Sequence, residues 1–113
     1  MYMEYITIDD FAKVEIKVGL ILGAEIIEES EKLLKLSVDF GEENPRQVLS
    51  GIRTYMALDE LVGRKYLFVT NLKPRTMMGM ESQAMILGSG GGDEPFSLFA
   101  PVNDESAPGT LIR

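Results

Sequence analysis

Two stretches in the first half of the chain alternate apolar and polar side chains with a period of two. A period of two puts the apolar members on one face of an extended strand, so both stretches are predicted to be half-buried strands. The apolar members are Val14, Ile16, Val18, Leu20 and Leu22 in the first stretch and Leu34, Leu36, Val38 and Phe40 in the second. Gly19 and Gly23 fall in the first strand, where strong bending would need relief from crowding. A long, bent first strand is what a small closed barrel requires.

Three further strands are predicted: Arg46–Ile52, Lys65 to about Thr70, and about Ser82 to Leu87. Helical spacing over Ala57–Val62, ending at Gly63, predicts a short helix between the third and fourth strands. A helical turn capped by Thr7 should precede the first strand, with Phe11 facing the core. This order predicts a mainly all-β fold, a five-stranded OB-fold Greek-key barrel. A six-stranded sandwich is the alternative.

The length of 113 residues predicts one domain, residues 1–113. The barrel should occupy about 12–88, and a C-terminal extension about 89–113. The extension opens with the glycine-rich turn Gly88–Asp93 and then carries apolar side chains, namely Phe96, Leu98, Phe99, Val102, Leu111 and Ile112. Small soluble proteins seldom expose such a patch. We therefore expect the extension to form the contact of a homodimer.

Missing residue types exclude several functions. The chain contains no His and no Cys, which removes zinc-type sites, thiol nucleophiles and the usual general base near neutral pH. We expect no enzyme activity, no catalytic residue, no metal site and no cofactor. No apolar run approaches the roughly 20 residues that span a bilayer, and residues 1–5 lack a signal-peptide pattern. A cytoplasmic protein without a membrane partner is expected, in keeping with the absence of cysteine.

The charges are unevenly distributed along the chain. The net charge is −7, which as a single number argues against nucleic-acid binding. Residues 46–80, however, hold six basic and two acidic side chains. The middle of the chain is a cationic segment inside an acidic protein, a distribution that suggests an anionic partner without establishing one.

Residues 71–85 combine a rigid entry with a permissive exit. Pro74 restricts the residue before it to extended geometry, and Gly79 permits a tight turn. Lys73 and Arg75 are therefore displayed on an irregular loop between two apolar runs. Without further information, the segment is equally well interpreted as an ordinary connection whose methionines fill the end of a core.

The order of residues in this segment resembles the signature of the tRNA-binding domain family. The matching residues are Asn71-Leu72-Lys73-Pro74, Met78-Gly79, Ser82-Gln83 and Met85. Other matches are Asp10-Phe11, Val18-Gly19, Lys32-Leu33-Leu34, Gln47–Ile52 and Pro108-Gly109. The family includes the C-terminal domain or beta subunit of methionyl-tRNA synthetase, free-standing tRNA-binding proteins and EMAP II-like domains.

The resemblance implies the same barrel and a non-catalytic tRNA-binding protein, a beta subunit or helper of methionyl-tRNA synthetase. Its partners would be tRNA, bound by shape and backbone with little sequence specificity, and the catalytic subunit of that synthetase. One branch of the family resembles a secretion chaperone, so a protein that binds unfolded polypeptides on the same scaffold is the alternative. A carbohydrate-binding barrel is a more distant third.

Eight residues are candidates for RNA binding. Lys73 and Arg75 are loop cations that can neutralise phosphates, Arg46 flanks the third strand, and Ser50 is a small residue on it. The resemblance implies a role for Lys32, and it implies that Asn71, Ser82 and Met85 contact RNA by hydrogen bonding and by packing on a base. The alternatives are that Asn71 ends a strand, Met85 belongs to the core and Ser50 marks a bulge.

Overall fold

A five-stranded antiparallel sheet curls into a nearly closed barrel. The computed structural model describes residues 4–113, and the sheet has the strand order β3-β2-β1-β4-β7. Two hairpins accompany it, β5 with β6 and β8 with β9. The strands are β1 (Ile16–Ile26), β2 (Leu34–Asp39), β3 (Arg46–Ser50), β4 (Lys65–Val69), β5 (Arg75–Met77), β6 (Met80–Ser82), β7 (Met85–Ile86), β8 (Gly88–Gly91) and β9 (Glu94–Leu98). The predicted barrel is confirmed.

Strand β1 serves both halves of the barrel, because its first half pairs with β4 and its second half with β2. A β-bulge between Ile21 and Gly23 separates the two halves. Before the bulge, Gly19 and Ile21 face inward, because Ile21 belongs to the core and a Cβ atom at Gly19 would meet Phe40, Val38 and Phe68. Leu22 is the extra residue of the bulge and is 50% exposed. The prediction that Leu22 faces inward was wrong, because Leu20, Ile21 and Leu22 are all apolar and the alternation there does not fix which face is buried.

The alternation predicted for the second strand is confirmed, because all four of its apolar side chains are buried: Leu34, Leu36, Val38 and Phe40. Phe40 meets Phe68 of β4 edge to face, with ring centroids 5.2 Å apart. This contact leaves no room beside Gly19. A Cβ atom there would lie 2.7 Å from side-chain atoms of both Phe40 and Val38.

The helical part of the segment between β3 and β4 is shorter than predicted. It contains only a 3₁₀ turn, Leu58–Glu60, in which the Glu60 carboxylate accepts a hydrogen bond from the Ala57 amide at 2.9 Å. Leu61 is fully buried in the core, whereas Val62, which helical spacing would place on the same side, is 43% exposed. Gly63 ends the turn with φ +82°, a conformation that favours glycine.

Both ends of the described chain lie along the start of β1. The predicted N-terminal turn is helix α1 (Ile8–Phe11), capped by Thr7. Ile112 donates to the Ile16 carbonyl at 2.8 Å, which places the C-terminal tail beside β1. Phe11 is 41% exposed and was wrongly predicted to be core. Its helix has only four residues and buries none of them.

The glycine-rich stretch is the predicted turn, and it joins β8 to β9. Stacking of Tyr55 on Phe96, with ring centroids 4.6 Å apart, holds this hairpin against the segment after β3. Among residues 4–113, no helix has the length and apolar character needed to cross a membrane. The first three residues, on which part of the signal-peptide expectation rests, lie outside the described residues.

Replacing Gly19 with alanine should destabilise the barrel, since the new methyl group would overlap Phe40, Val38 and Phe68. We expect Gly19→Ala to lower the free energy of unfolding by about 1–3 kcal/mol in a denaturant titration. Gly23→Ala on the same strand is the matched control, because no atom lies within 4 Å of its Cβ position. A change within about 0.5 kcal/mol is expected there. Equal effects of the two substitutions would contradict this account of Gly19.

Candidate functional site

Residues 71–82, called the hairpin segment below, form a projection that leaves the barrel after β4 and returns before β7. Arg75–Met77 pairs with Met80–Ser82, and the turn is Met78-Gly79. Both turn residues have positive φ, 52° and 77°, as a two-residue type I′ turn requires. The sequence predicted an irregular loop and then one strand from Ser82 to Leu87. The structure differs, because β6 ends at Ser82 and β7 covers only Met85–Ile86.

Arg46, predicted to contact RNA, is engaged inside the protein. Its Nη1 donates to the carbonyl oxygens of Thr70 at 2.7 Å and Gln83 at 3.2 Å. Its Nε and Nη2 donate to the two carboxylate oxygens of Glu42 at 2.8 and 2.7 Å. The hydrogen bond from Arg46 holds the pKa of the Glu42 carboxyl below its ordinary value. The structure thus places Arg46 at the base of the hairpin segment rather than free on the surface.

Ser82, predicted to contact RNA, is buried. Its hydroxyl accepts a hydrogen bond from the Leu49 amide at 3.0 Å and donates to the Ala84 carbonyl at 3.0 Å. Only 6% of the residue is exposed. The hydroxyl is thus hydrogen-bonded within the fold, and a contact between Ser82 and RNA stays a prediction.

Asn71, also predicted to contact RNA, binds the backbone that precedes β1. Its Nδ2 donates to the Lys13 carbonyl at 2.7 Å, and its Oδ1 accepts from the Glu15 amide at 2.8 Å. The neighbouring Thr70 hydroxyl donates to the Glu15 carboxylate at 2.7 Å and is the main cause of a lowered pKa of that carboxyl. The first residue of the hairpin segment is therefore fixed to the N-terminal part of the barrel.

The other two predicted residues of the hairpin segment, Lys73 and Arg75, remain exposed. Neither forms a salt bridge with any of residues 4–113. Together with Met85, which is 46% exposed, they line a cavity of about 110 Å³. The remaining residues of its lining are the apolar Leu49, Leu72, Met77 and Ala84, together with Ser82.

The exposed fraction of Met85 rules out the interpretation that it is a core residue. Leu72, which is 49% exposed, and the half-buried Met77 were not among the predicted site residues, because apolar side chains in a sequence are taken for core. The one available signal was the position of Leu72 between Asn71 and Lys73, where a surface loop was expected.

Lys32 and Ser50 do not line this cavity. Lys32 is exposed in the connection between β1 and β2, and its carbonyl accepts from the Arg53 amide at 3.0 Å. Ser50 is half-buried at the end of β3, opposite Leu34. Both therefore belong to the part of the barrel where β1, β2 and β3 meet.

The cavity combines an apolar floor with cations at its rim. Such a surface can pack against the face of an unstacked base while the cations neutralise neighbouring phosphates. Within residues 4–113, no group of three or more carboxylates is placed to hold a metal ion. This arrangement is suited to binding an anionic polymer.

Comparison with known proteins agrees with that chemistry. The model of the tRNA binding domain family matches residues 16–110. This chain belongs to the tRNA-binding domain family. The matched domain is a binding module rather than a catalytic one.

Three relatives of this tRNA-binding domain are informative. The methionine–tRNA ligase of Methanococcus aeolicus is 49% identical over 96% of the chain, which spans only 16% of that ligase. The crystal structure of a MetRS-related protein from Pyrococcus horikoshii has a TM-score of 0.89 and 40% identity, covering 98% of this chain and all of that one. The CsaA chaperone protein of Picrophilus torridus has a TM-score of 0.84 and 31% identity, covering 96% of this chain and all of its own.

Loss of the Ser82 hydroxyl should reduce stability, because the Leu49 amide would remain buried without a partner. We expect Ser82→Ala to lower the free energy of unfolding by about 1–3 kcal/mol. Ser89→Ala, on the exposed strand β8, is the control and should change it by less than about 0.5 kcal/mol. Denaturant titrations of both variants measure this, and an unchanged midpoint for Ser82→Ala would show that the hydroxyl is dispensable to the fold.

Proposed function

We propose that this chain is a non-catalytic tRNA-binding protein that acts as a beta subunit or helper of methionyl-tRNA synthetase. The observation that carries the proposal is the cavity beside the hairpin segment, where exposed Lys73 and Arg75 border an apolar surface. Membership of the tRNA-binding domain family supports it. The similarity to methionine–tRNA ligases supports the choice of synthetase.

The cavity would contact an unstacked base through Met85 and its apolar neighbours, with phosphates on Lys73 and Arg75. Sulfur-containing side chains adapt to different shapes, and phosphate contacts carry no sequence information. Binding would therefore depend on the fold and backbone of the tRNA and little on its sequence. Held in this way, tRNA would be at a raised effective concentration beside a catalytic partner.

The remaining candidates take different roles in this proposal. Lys32 and Ser50 would extend the contact surface to the end of β3, because both are accessible there. Arg46, Asn71 and Ser82 would support the hairpin segment, since each already bonds to another part of the protein. The proposal includes a cytoplasmic location, where tRNA is charged, and no catalytic residue or cofactor.

A chaperone is the second candidate, because the Picrophilus CsaA protein has nearly the same fold as this chain. An apolar cavity can also accept a side chain of an unfolded polypeptide. The two cations at the rim favour RNA, since a phosphate backbone supplies a charge for each of them.

We further propose that two copies of this chain form a homodimer through an apolar groove near both ends of the chain. The groove has a volume of about 330 Å³ and is lined mainly by Ile8, Phe11, Val14, Leu111 and Ile112. Tyr5 and Ile6, just before it, are 84% and 68% exposed. A two-fold contact would bury these side chains against the same side chains of a second copy. The contact would then use both ends of the chain, with less reliance on the extension than predicted from sequence.

Neutralising either cation at the cavity should weaken binding to bulk tRNA. Each contact between a cation and a phosphate releases counterions, so Lys73→Gln and Arg75→Gln should each reduce the log–log salt slope by about 0.7 to 0.9. Titrations at several salt concentrations measure this slope. DNA duplex and an unfolded polypeptide serve as competitors that test for the chaperone function.

Arg64→Gln is the matched control, because Arg64 is exposed but does not line the cavity. If Arg64→Gln weakens binding as much as Lys73→Gln, the attraction is diffuse and the proposed site is wrong. If none of the three changes affects binding to tRNA while the unfolded polypeptide binds, the chaperone function replaces the proposed one.

A charge in the apolar groove should separate the proposed dimer. We expect Leu111→Glu to give the monomer mass by light scattering at micromolar concentration, where the unaltered chain gives twice that mass. Val62→Glu is the control, since Val62 is similarly exposed but does not line the groove. A monomer mass for the unaltered chain would contradict the proposal.

A further inference from the structure

Arg46 connects the two residues that flank the hairpin segment. Thr70 precedes the segment and Gln83 follows it, and one nitrogen of Arg46 donates to the carbonyl oxygens of both. From this geometry we infer that Arg46 is a positioning residue for tRNA binding, which fixes the base of the hairpin segment and does not contact phosphate. The inference rests on the proposed function.

The guanidinium has little capacity left for a phosphate. It carries five N–H donors, and four hydrogen bonds are already made, two to carbonyl oxygens and two to Glu42. Its side chain is 23% exposed. It also lies over the Phe40 ring, 5.4 Å from the centroid, so the core supports it from below. A phosphate would have to displace Glu42, and with it the bidentate pair.

The two other anchors of the hairpin segment each hold one end. Asn71 binds the backbone at Lys13 and Glu15, and Ser82 binds Leu49. Arg46 alone among these three bonds to both flanking residues, and its backbone belongs to β3 of the barrel. It therefore fixes the distance between the ends of a segment that projects Lys73 and Arg75 into solvent. A preorganised segment loses less conformational entropy when it binds.

Lysine cannot replace arginine in this arrangement. Its ammonium group is a compact charge without the planar fork that reaches a carboxylate and two carbonyls together. A residue that only neutralises phosphate would tolerate Arg46→Lys, whereas a residue that positions the hairpin segment would not. Removal of Glu42 also distinguishes the two roles. If Arg46 bound phosphate, loss of the neighbouring acidic group would strengthen binding. If Arg46 positions the hairpin segment, loss of the partner that orients it would weaken binding.

The experiment measures binding of bulk tRNA by Arg46→Lys, Arg46→Gln and Glu42→Ala at several salt concentrations, with Arg64→Lys and Arg64→Gln as matched controls. We expect about tenfold weaker binding for both Arg46 variants, with the salt slope unchanged, because the lost contact is internal. Glu42→Ala should also weaken binding, although it makes the protein less negative. The Arg64 variants should bind as the unaltered chain does.

Hydrogen exchange separates positioning from a general structural role. In the Arg46 variants, amides of residues 73–82 should exchange faster, while amides of the β1–β2 ladder keep their protection. Faster exchange throughout the barrel, with unchanged affinity of the folded protein, would overturn the inference. Glu42→Ala retains the arginine, and it keeps the test decisive if an Arg46 variant fails to fold.

Three other results would also overturn it: unchanged affinity of Arg46→Lys, a salt slope of Arg46→Gln reduced by about 0.7 to 0.9, or tighter binding by Glu42→Ala. Each would show that Arg46 either binds phosphate or has no role in tRNA binding. Failure of the proposed function gives a different result, because Lys73→Gln and Arg75→Gln would then leave tRNA binding unchanged as well.

Discussion

The barrel depends on hydrogen bonds that join strand β3 to the residues just before β7. The Gln47 amide donates to the side chain of Gln83, and the Gln83 amide returns a bond to the Gln47 carbonyl, both at 2.8 Å. Ser82 adds the bond from Leu49. These contacts cover a sheet edge whose polar groups would otherwise need water. They also fix the end of the hairpin segment, so the same hydrogen bonds close the barrel and position the candidate site.

The local distribution of charge explains how an acidic protein can present a cationic cavity, because the charged side chains that line this cavity are Lys73 and Arg75. Four cations pair with carboxylates in the described part of the chain: Lys13 with Asp10, Lys17 with Glu15, Lys35 with Glu25 and Arg46 with Glu42. Lys73 and Arg75 lie on a projection with no such partner among those residues, so their charge is directed outward. Net charge describes the average field of a protein, whereas a phosphate responds to the charges within about a Debye length. The chain can therefore be acidic overall and cationic at one cavity.

The candidate site differs from a typical single-strand binding surface in what provides its apolar contact. Such surfaces usually stack bases on aromatic rings. Here the cavity is lined by Met77, Met85 and two leucines, while Tyr55 is stacked on Phe96 elsewhere. Methionine is flexible and polarizable, so its surface adapts to a base without dictating its orientation. This composition suits a partner recognised by its overall fold.

The sequence by itself determined the class of fold, because periodicity fixes which face of β2 is buried and glycine allows the close approach at Gly19. It also determined the family and the exposed cations Lys73 and Arg75. Only the tertiary structure decided which groups of the protein Arg46, Asn71 and Ser82 bind. Apart from Glu42 and Ala84, their hydrogen-bond partners are 24 to 58 residues away along the chain. A sequence does not show whether the partner of a polar side chain is a distant backbone group or a ligand. The tertiary structure likewise decided the exposure of Leu22 and Phe11, because the local pattern does not encode which side of an apolar run, or of a four-residue helix, meets the core.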